Sequence, residues 1–408
     1  MVRAEIIERS KVLQETAPPL ERLQGMKEAL LKAGDEAQEI RHLPSWASNE
    51  IADQGLYRFA LPQELGGEDL RAREQIEIVE AASAIDGSVG WCIHINSEIN
   101  ALVLRRMTVD FAHEYYDDWR VLTCGGVGPG LQNARARREE GGWRLWCQGS
   151  FGSGCHNATW TLVHTGSVGV PREGGGSSEK AFLIPRDDWE IVDTWDTAGL
   201  RGSGSHDVKV DGAFIPEQAT LPMDLFSTCE TFPNPTYRNP MQAHYNKGAV
   251  ALGICRGAID DLIALAMTKT PWTSGSLLAD QPELQYRLGE AQATYRAARS
   301  FLIEAQEETE EHLGPLAKDG GRARPEWPVL QRNYLSCVHA AQSTRHIVDM
   351  IHNTAGTTAS RMESPLERRL RDAHQAASHA AISWRHYRKL GSTYLGDDPP
   401  AFGVIARA

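Results

Sequence analysis

Glu140-Gly141-Gly142-Trp143-Arg144-Leu145-Trp146-Cys147-Gln148-Gly149-Ser150-Phe151-Gly152-Ser153-Gly154 decides what kind of fold this chain can have. Trp143, Leu145 and Cys147 alternate with Arg144 and Trp146, the period of a strand with one face buried. Glu140-Gly141-Gly142 supplies the turn in front of it. Further short apolar runs stand at Thr159–His164, Ala181–Pro185, Trp189–Val192 and Val208–Phe214, separated by Gly, Pro, Ser and Asp. Between residues 121 and 222 the pattern predicts an antiparallel barrel or sandwich. Glu173-Gly174-Gly175-Gly176-Ser177-Ser178 is expected to be a flexible loop tip.

On both sides of this segment the period changes to that of helices. Leu20, Leu23, Met26 and Leu30 fall at helical spacing, Pro18-Pro19 breaks an earlier helix, and Leu43-Pro44-Ser45 reads as a stop followed by an N-cap. A helix over Ala72–Asp86 ends near Gly87, and another starts near Ser88. From Asn239 onward the chain is helical again. Leu284, Leu288, Ala291, Tyr295, Ala298 and Leu302 form one apolar face, Glu304–Glu311 reads as the solvated end of that helix, and Pro315 with Lys318-Asp319-Gly320-Gly321 forms the next break. The resulting α+β order is an N-terminal helical domain (1–118), a central β domain (119–225) and a C-terminal helical domain (226–408).

Composition narrows the function classes. The 408 residues are 41% hydrophobic and 24% charged, which suits a soluble globular protein with two or three cores. A net charge of −12 without a dense Lys/Arg block argues against nucleic acid or a membrane surface as partner. The N-terminus, charged from Arg3, lacks the apolar core of a secretory signal. Arg256, Asp260 and Asp261 interrupt the apolar stretch Gly248–Met267, so it reads as a buried helix and not a membrane span. The seven cysteines (Cys92, Cys124, Cys147, Cys155, Cys229, Cys255, Cys337) are odd in number and form no CxxC pair. They read as reduced, mostly buried thiols of a cytoplasmic protein without a zinc site.

Four stretches in order resemble the acyl-CoA dehydrogenase superfamily. They are Gly55-Leu56-Tyr57 … Leu61-Pro62-Gln63-Glu64-Leu65-Gly66-Gly67 with Ala84-Ile85-Asp86-Gly87-Ser88-Val89-Gly90-Trp91; Gly149–His156; Gly199–Val208 closing with Phe214-Ile215-Pro216-Glu217; and Pro365-Leu366-Glu367-Arg368-Arg369-Leu370-Arg371-Asp372. The resemblance implies an N-terminal helical domain, a central antiparallel β-barrel, a C-terminal four-helix bundle, a flavin between them and a homotetramer. In the dehydrogenases a glutamate takes the substrate α-proton. Its commonest position falls here on Ala380, within Ser378-His379-Ala380-Ala381, and a methyl group accepts no proton. The alternative base position in the first C-terminal helix offers only Asp260 and Asp261.

Arg371, Asp372 and His379 instead resemble the two-component hydroxylases of the superfamily, as do Phe151-Gly152-Ser153-Gly154 and Leu278–Leu288. That branch implies a flavin-dependent monooxygenase that hydroxylates an aromatic, usually phenolic, small molecule through a C4a-hydroperoxide. The flavin, reduced FMN in preference to FAD, comes from a separate NAD(P)H-dependent reductase. The absence of a GxGxxG fingerprint fits flavin arriving already reduced.

By resemblance His379, Ser153 and His94 are the catalytic candidates. Ser153 would donate to flavin N5, His379 would act as acid/base, and His94 would be a second pocket histidine. Trp91, Phe151, Gly152, Ser153, Gly154, Arg201 and Ser203 would border the cofactor. Each has a plainer alternative: Ser153, Arg201, Ser203 and Ser205 as turn formers, His94 and His156 as packed residues, Trp91 and Trp160 as core. Arg371 and Asp372 are expected to form an ion pair. The competing functions are a dehydrogenase with a relocated base, an N- or S-oxygenase, and a non-catalytic relative.

Overall fold

The computed structural model describes residues 3–164, 170–171, 177–178, 180–222, 232, 234–316 and 325–399. The Glu173–Gly176 part of the predicted loop tip, the Lys318–Gly321 break and Cys229 lie outside the described residues.

Seven helices come first: α1 (Ala4–Thr16), α2 (Pro19–Gly25), α3 (Lys27–Ile40), α4 (Ser45–Asp53), α5 (Ala72–Ile85), α6 (Gly87–Leu104) and α7 (Val109–Tyr115). Pro18-Pro19 separates α1 from α2 as expected. At α4 the cap position belongs to Pro44, and Ser45 is already the first helical residue with no side-chain cap bond. Asp86 closes α5 and opens α6, its Oδ1 accepting from the backbone N–H groups of Ser88 (2.9 Å) and Val89 (3.0 Å). Gly90 has no room for a Cβ because Ser83 of α5 occupies that space, so the two helices meet almost backbone to backbone.

The strands follow: β1 (Thr123–Glu139), β2 (Gly142–Ser150), β3 (Trp160–His164), β4 (Val170–Pro171), β5 (Ser177–Ser178), β6 (Lys180–Pro185), β7 (Glu190–Val192), β8 (Asp207–Pro216) and β9 (Thr220–Pro222). Trp143, Leu145 and Cys147 of β2 are buried, as their alternation predicts. The main sheet runs β7-β8-β2-β1-β3-β6-β9. It is neither closed into a barrel among the described residues nor wholly antiparallel. β1 pairs in parallel with β3 over Thr123–Gly126 and antiparallel with β2 over Gln132–Glu139, changing partner along its length. The end strands β7 and β9 have only three residues each, too short for a long ladder between them.

The second helical set is α8 (Gln242–Ala266), α9 (Pro282–Leu316), α10 (Trp327–Ala355), α11 (Pro365–Ala377) and α12 (His386–Thr393). α10 packs on α8, α9 and α11, while α8 also packs on α5, α6 and α11. Val250, Leu252, Ile254, Ile259 and Leu262 of α8 are all buried. Each contributes about 1.5–3 kcal/mol of apolar burial, so the stretch Gly248–Met267 is the buried helix its composition predicts. Among the described residues no helix is long and apolar enough to cross a membrane, no His/Cys/Asp/Glu group could hold a metal, and six cysteines are free and buried.

The Glu304–Glu311 run departs from expectation. α9 continues through it to Leu316, and Glu310 is buried. Its carboxylate accepts from the Ala72 N–H (3.0 Å), Arg71 Nε (2.7 Å) and the Thr236 hydroxyl (2.6 Å), which ties the first turn of α5 to α9. Glu310→Ala strands those donors and is expected to lower unfolding stability by about 2–4 kcal/mol. Urea unfolding measures this, and a change under about 0.5 kcal/mol would contradict the assigned role.

Candidate functional site

Three helical residues at spacings three and four, Trp91, His94 and Glu98, share one face of α6. Against the Trp91 end stands the loop after β2. Phe151 is exposed with φ +67°, and Gly154 has φ +75°. A Cβ on Gly154 would sit 2.8 Å from the Asn96 amide, so glycine is required there. The Gly152 N–H donates to His206 O (2.8 Å) and the Gly154 N–H to Ser203 O (2.9 Å), clamping the loop onto residues 203–206.

Between the two clamps the side chains form a row. Trp91 Nε1 donates to Ser153 Oγ (3.0 Å), Ser153 Oγ lies 2.7 Å from Ser205 Oγ, and Ser205 Oγ lies 2.7 Å from Ser203 Oγ. An indole N–H only donates, so Ser153 keeps its own hydrogen for Ser205 or for a ligand. Arg201 is turned away from this row: its Nε donates to Gln38 O (2.9 Å) and its Nη1 binds Asp196. His156 stacks on His42 at 3.8 Å, and Trp160 packs against Tyr115 in the sheet core, so neither joins the row.

The rings of His94 and His379 lie 5.0 and 5.5 Å from Trp91. His379 follows α11 and caps the short turn Ala380–Ile382, its Nδ1 accepting the Ala381 N–H at 3.1 Å. His94 Nδ1 lies 3.3 Å from Glu98 Oε2, and Glu98 Oε1 accepts from Lys247 Nζ at 2.9 Å. Lys247 also donates to Ala243 O (2.6 Å). The sequence reading missed Glu98, Lys247 and His244. A His at i and Glu at i+4, and the polar run His244-Tyr245-Asn246-Lys247 opening a buried helix, were the available signals.

The ion pair sets the charges nearby. Burial pushes the Glu98 carboxyl up, but Lys247 and His94 outweigh it and bring the group down to about 2. Burial lowers His94 despite Glu98, and burial together with Lys247 takes His244 down to about 3. His379 is driven well below the ordinary imidazole range, first by burial and then by Lys247. One carboxylate and one ammonium therefore stand among three neutral imidazoles.

α11 joins this cluster to the serine row. Asp372 Oδ1 accepts the Leu200 N–H (2.6 Å), anchoring the loop that carries Ser203 and Ser205. The expected Arg371–Asp372 pair is not formed. Arg371 binds Glu367 and the Ala198 carbonyl, because adjacent residues of a helix point in different directions. Arg368 instead reaches Asp86 Oδ2 (3.1 Å).

With this geometry in view, comparison with known proteins gives a consistent picture. Residues 245–384 match the family described as "Acyl-CoA dehydrogenase, C-terminal domain". That match covers about a third of the chain, and most of the chain is similar to individual monooxygenases. The indole-3-acetate monooxygenase of Pseudomonas putida is 28% identical over 366 residues, covering 88% of this chain and 89% of the relative. The oxygenase component of an FADH2-dependent resorcinol hydroxylase from a Rhizobium species is 24% identical, with 93% and 94% covered. XiaF from a Streptomyces species, solved with FADH2 and glycerol, has a similar fold, with a TM-score of 0.84 at 22% identity over 97% and 98% of the two chains.

Desolvation, and then the nearby charge of Asp86, push the buried Asp372 carboxyl up to about 7. Its ordinary value is near 3.8, so between about pH 4 and 7 the folded state holds a proton that the unfolded chain has released. This contribution to stability is therefore lost as pH rises through that window. Asp372→Asn is expected to abolish it, so melting temperature compared between wild type and variant should favour the variant progressively from pH 4 to 7. A difference independent of pH would refute the assignment.

Proposed function

We propose that this chain is the oxygenase component of a two-component flavin-dependent monooxygenase that hydroxylates an aromatic small molecule. The observation that carries the reading is the meeting, around Trp91, of the serine row with neutral His379, while the nearby carboxylate of Glu98 is held by Lys247. Both carboxylates open to a dehydrogenase are engaged elsewhere. Asp260 pairs with Arg256 on the outer face of α8, and Asp261 pairs with Arg369 (3.0 Å). Neither position supports α-proton abstraction, so the dehydrogenase reading loses its base.

The residues present fit a flavin. Gly152 and Gly154 let the backbone come close, Ser153 has a hydrogen to give, and the exposed Phe151 ring offers an apolar surface. When bound, reduced flavin supplies two electrons to O2, so that one oxygen atom enters the substrate and the other leaves as water. In the proposed site Trp91 holds the Ser153 oxygen, Ser153 aims its hydrogen at the cofactor ring, and the buried helix faces exclude water. His379 keeps its proton on Nε2, because Nδ1 is occupied as an acceptor, and offers it to oxygen. FMN is favoured over FAD, because the Leu278–Leu288 stretch differs from the one in the dehydrogenases, whose arginine reaches the FAD pyrophosphate of a neighbouring subunit. The reductase, the aromatic substrate, a closed central barrel, the four-helix bundle and the homotetramer belong to the same proposal.

The protein is expected to purify nearly colourless, bind reduced FMN more tightly than reduced FAD, and consume oxygen with a reductase. His379→Ala should lower hydroxylation by about 10²-fold or more while flavin binding persists. Turnover unchanged in that variant would remove His379 from the mechanism, and absence of any flavin binding would refute the function.

A further inference from the structure

The loop that carries Ser153 is gripped by one residue, His206, through both its backbone and its ring. The His206 carbonyl accepts the Gly152 N–H at 2.8 Å. Its ring, in a residue only 2% exposed, accepts the backbone N–H groups of Thr194 (3.2 Å) and Trp195 (3.1 Å) on the same nitrogen, Nδ1. Backbone N–H groups only donate, so Nδ1 keeps its lone pair and the hydrogen of the neutral ring sits on Nε2. The Trp195 indole donates to the Leu200 carbonyl (3.1 Å) and stands edge-on to Phe151 at 6.3 Å. Phe151 holds a left-handed φ of +67°, which a side chain disfavours and the surroundings must maintain. His206 thus holds the Phe151–Gly152 turn on one side by its carbonyl and on the other through Trp195.

A second state of the same ring is built into its surroundings. Asp193 Oδ1 lies 3.3 Å from Nδ1, while Arg41 takes both oxygens of that carboxylate at 2.7 and 2.6 Å. A proton on Nδ1 would be drawn to Asp193 and could not coexist with the two backbone N–H groups. The titratable and charged groups around the ring are Asp193, Arg41, His42, His156 and Cys155, with Asp207 beside it on β8. Burial, outweighing the attraction of Asp193, holds His206 below the ordinary imidazole range, so the ring is neutral near pH 7. His156 is pushed down to about 4, by burial first and then by His42 and His206, so it is still mostly neutral at pH 5.

We propose that His206 is a positioning residue for the flavin-binding loop: its neutral ring keeps Phe151–Gly154 in place, and a proton on Nδ1 releases them. The inference rests on the flavin reading for its ligand, whereas the grip itself belongs to the flavin-free chain. It is complete above the ordinary imidazole value of 6.5 and is lost as pH falls through the lower value that the fold imposes. His206→Asn keeps an acceptor at the place of Nδ1 but does not titrate, whereas His206→Phe keeps the bulk and loses the acceptor.

In the flavin-free full chain, hydrogen exchange of the Gly152, Thr194 and Trp195 amides, corrected for the intrinsic effect of pH, is expected to quicken by about threefold or more between about pH 7.5 and 5. Reduced FMN, titrated anaerobically, should bind less tightly by a similar factor over that range. His206→Asn should level both responses. His206→Phe should show fast exchange and weak FMN binding already at about pH 7.5, since it strands two backbone donors. Asp193→Asn, at an exposed residue, covers the case of His206 variants that fail to fold: without that carboxylate the response should move to lower pH. Exchange indifferent to pH in wild type, a response that survives in His206→Asn or does not move in Asp193→Asn, FMN affinity that stays level while exchange changes, or tight FMN binding by His206→Phe overturns the proposal. Failure of the flavin reading shows separately, as no FMN binding at any pH by a chain whose exchange still responds.

Discussion

Two buried carboxylates, Asp86 and Asp372, hold the molecule together at the point where its helices meet its sheet. Asp86 caps α6 and takes Arg368 from α11, while Asp372 reaches from α11 to the loop that leads into β8. Small residues make the joint possible. A Cβ on Gly87 would lie 2.8 Å from the Asp372 carboxylate, one on Gly199 would collide with the Arg371 carbonyl, and one on Gly202 would press into Ala37 at 2.5 Å. The face of α6 that carries Trp91 and His94 is thereby set against the Ser153 loop on one side and the end of α11 on the other. Every site residue discussed here inherits its position from that joint.

Within the site, burial keeps the imidazoles neutral and an ion pair adds to the effect. A lone buried ammonium or carboxylate would cost several kcal/mol. Together Lys247 and Glu98 largely cancel in charge, yet the ammonium still discourages protonation of the imidazoles nearby. The result is a weakly charged cluster of neutral imidazoles beside one ion pair.

Much of this was legible in the sequence, and what was not has identifiable physical causes. Strand β2 announced itself because its alternation is local. That the sheet is open and partly parallel among the described residues was not legible, because it depends on β1 pairing with both β2 and β3, a choice made between distant segments. Glu310 reads like its solvated neighbours in a run of acids until α5 is brought against it. Arg371 and Asp372 look like a pair because they are adjacent, but adjacency on a helix separates side chains. Ser153, His94 and His379 became candidates through motif resemblance, and the geometry brings all three around Trp91. Lys247 escaped notice because its partner Glu98 lies 149 residues away in the chain.

The row Trp91–Ser153–Ser205–Ser203 has a direction. Its first member can only give a hydrogen, and each serine has a single hydrogen to place. If an acceptor arrives at Ser153, that hydrogen must turn to it, Ser205 must then donate to Ser153, and Ser203 to Ser205. Every hydrogen in the row points towards the newcomer, and the aligned dipoles reinforce one another. Ligand arrival at one hydroxyl thus polarises a strip of protein that reaches the far loop, and a residue with no contact to the ligand becomes a reporter of its presence.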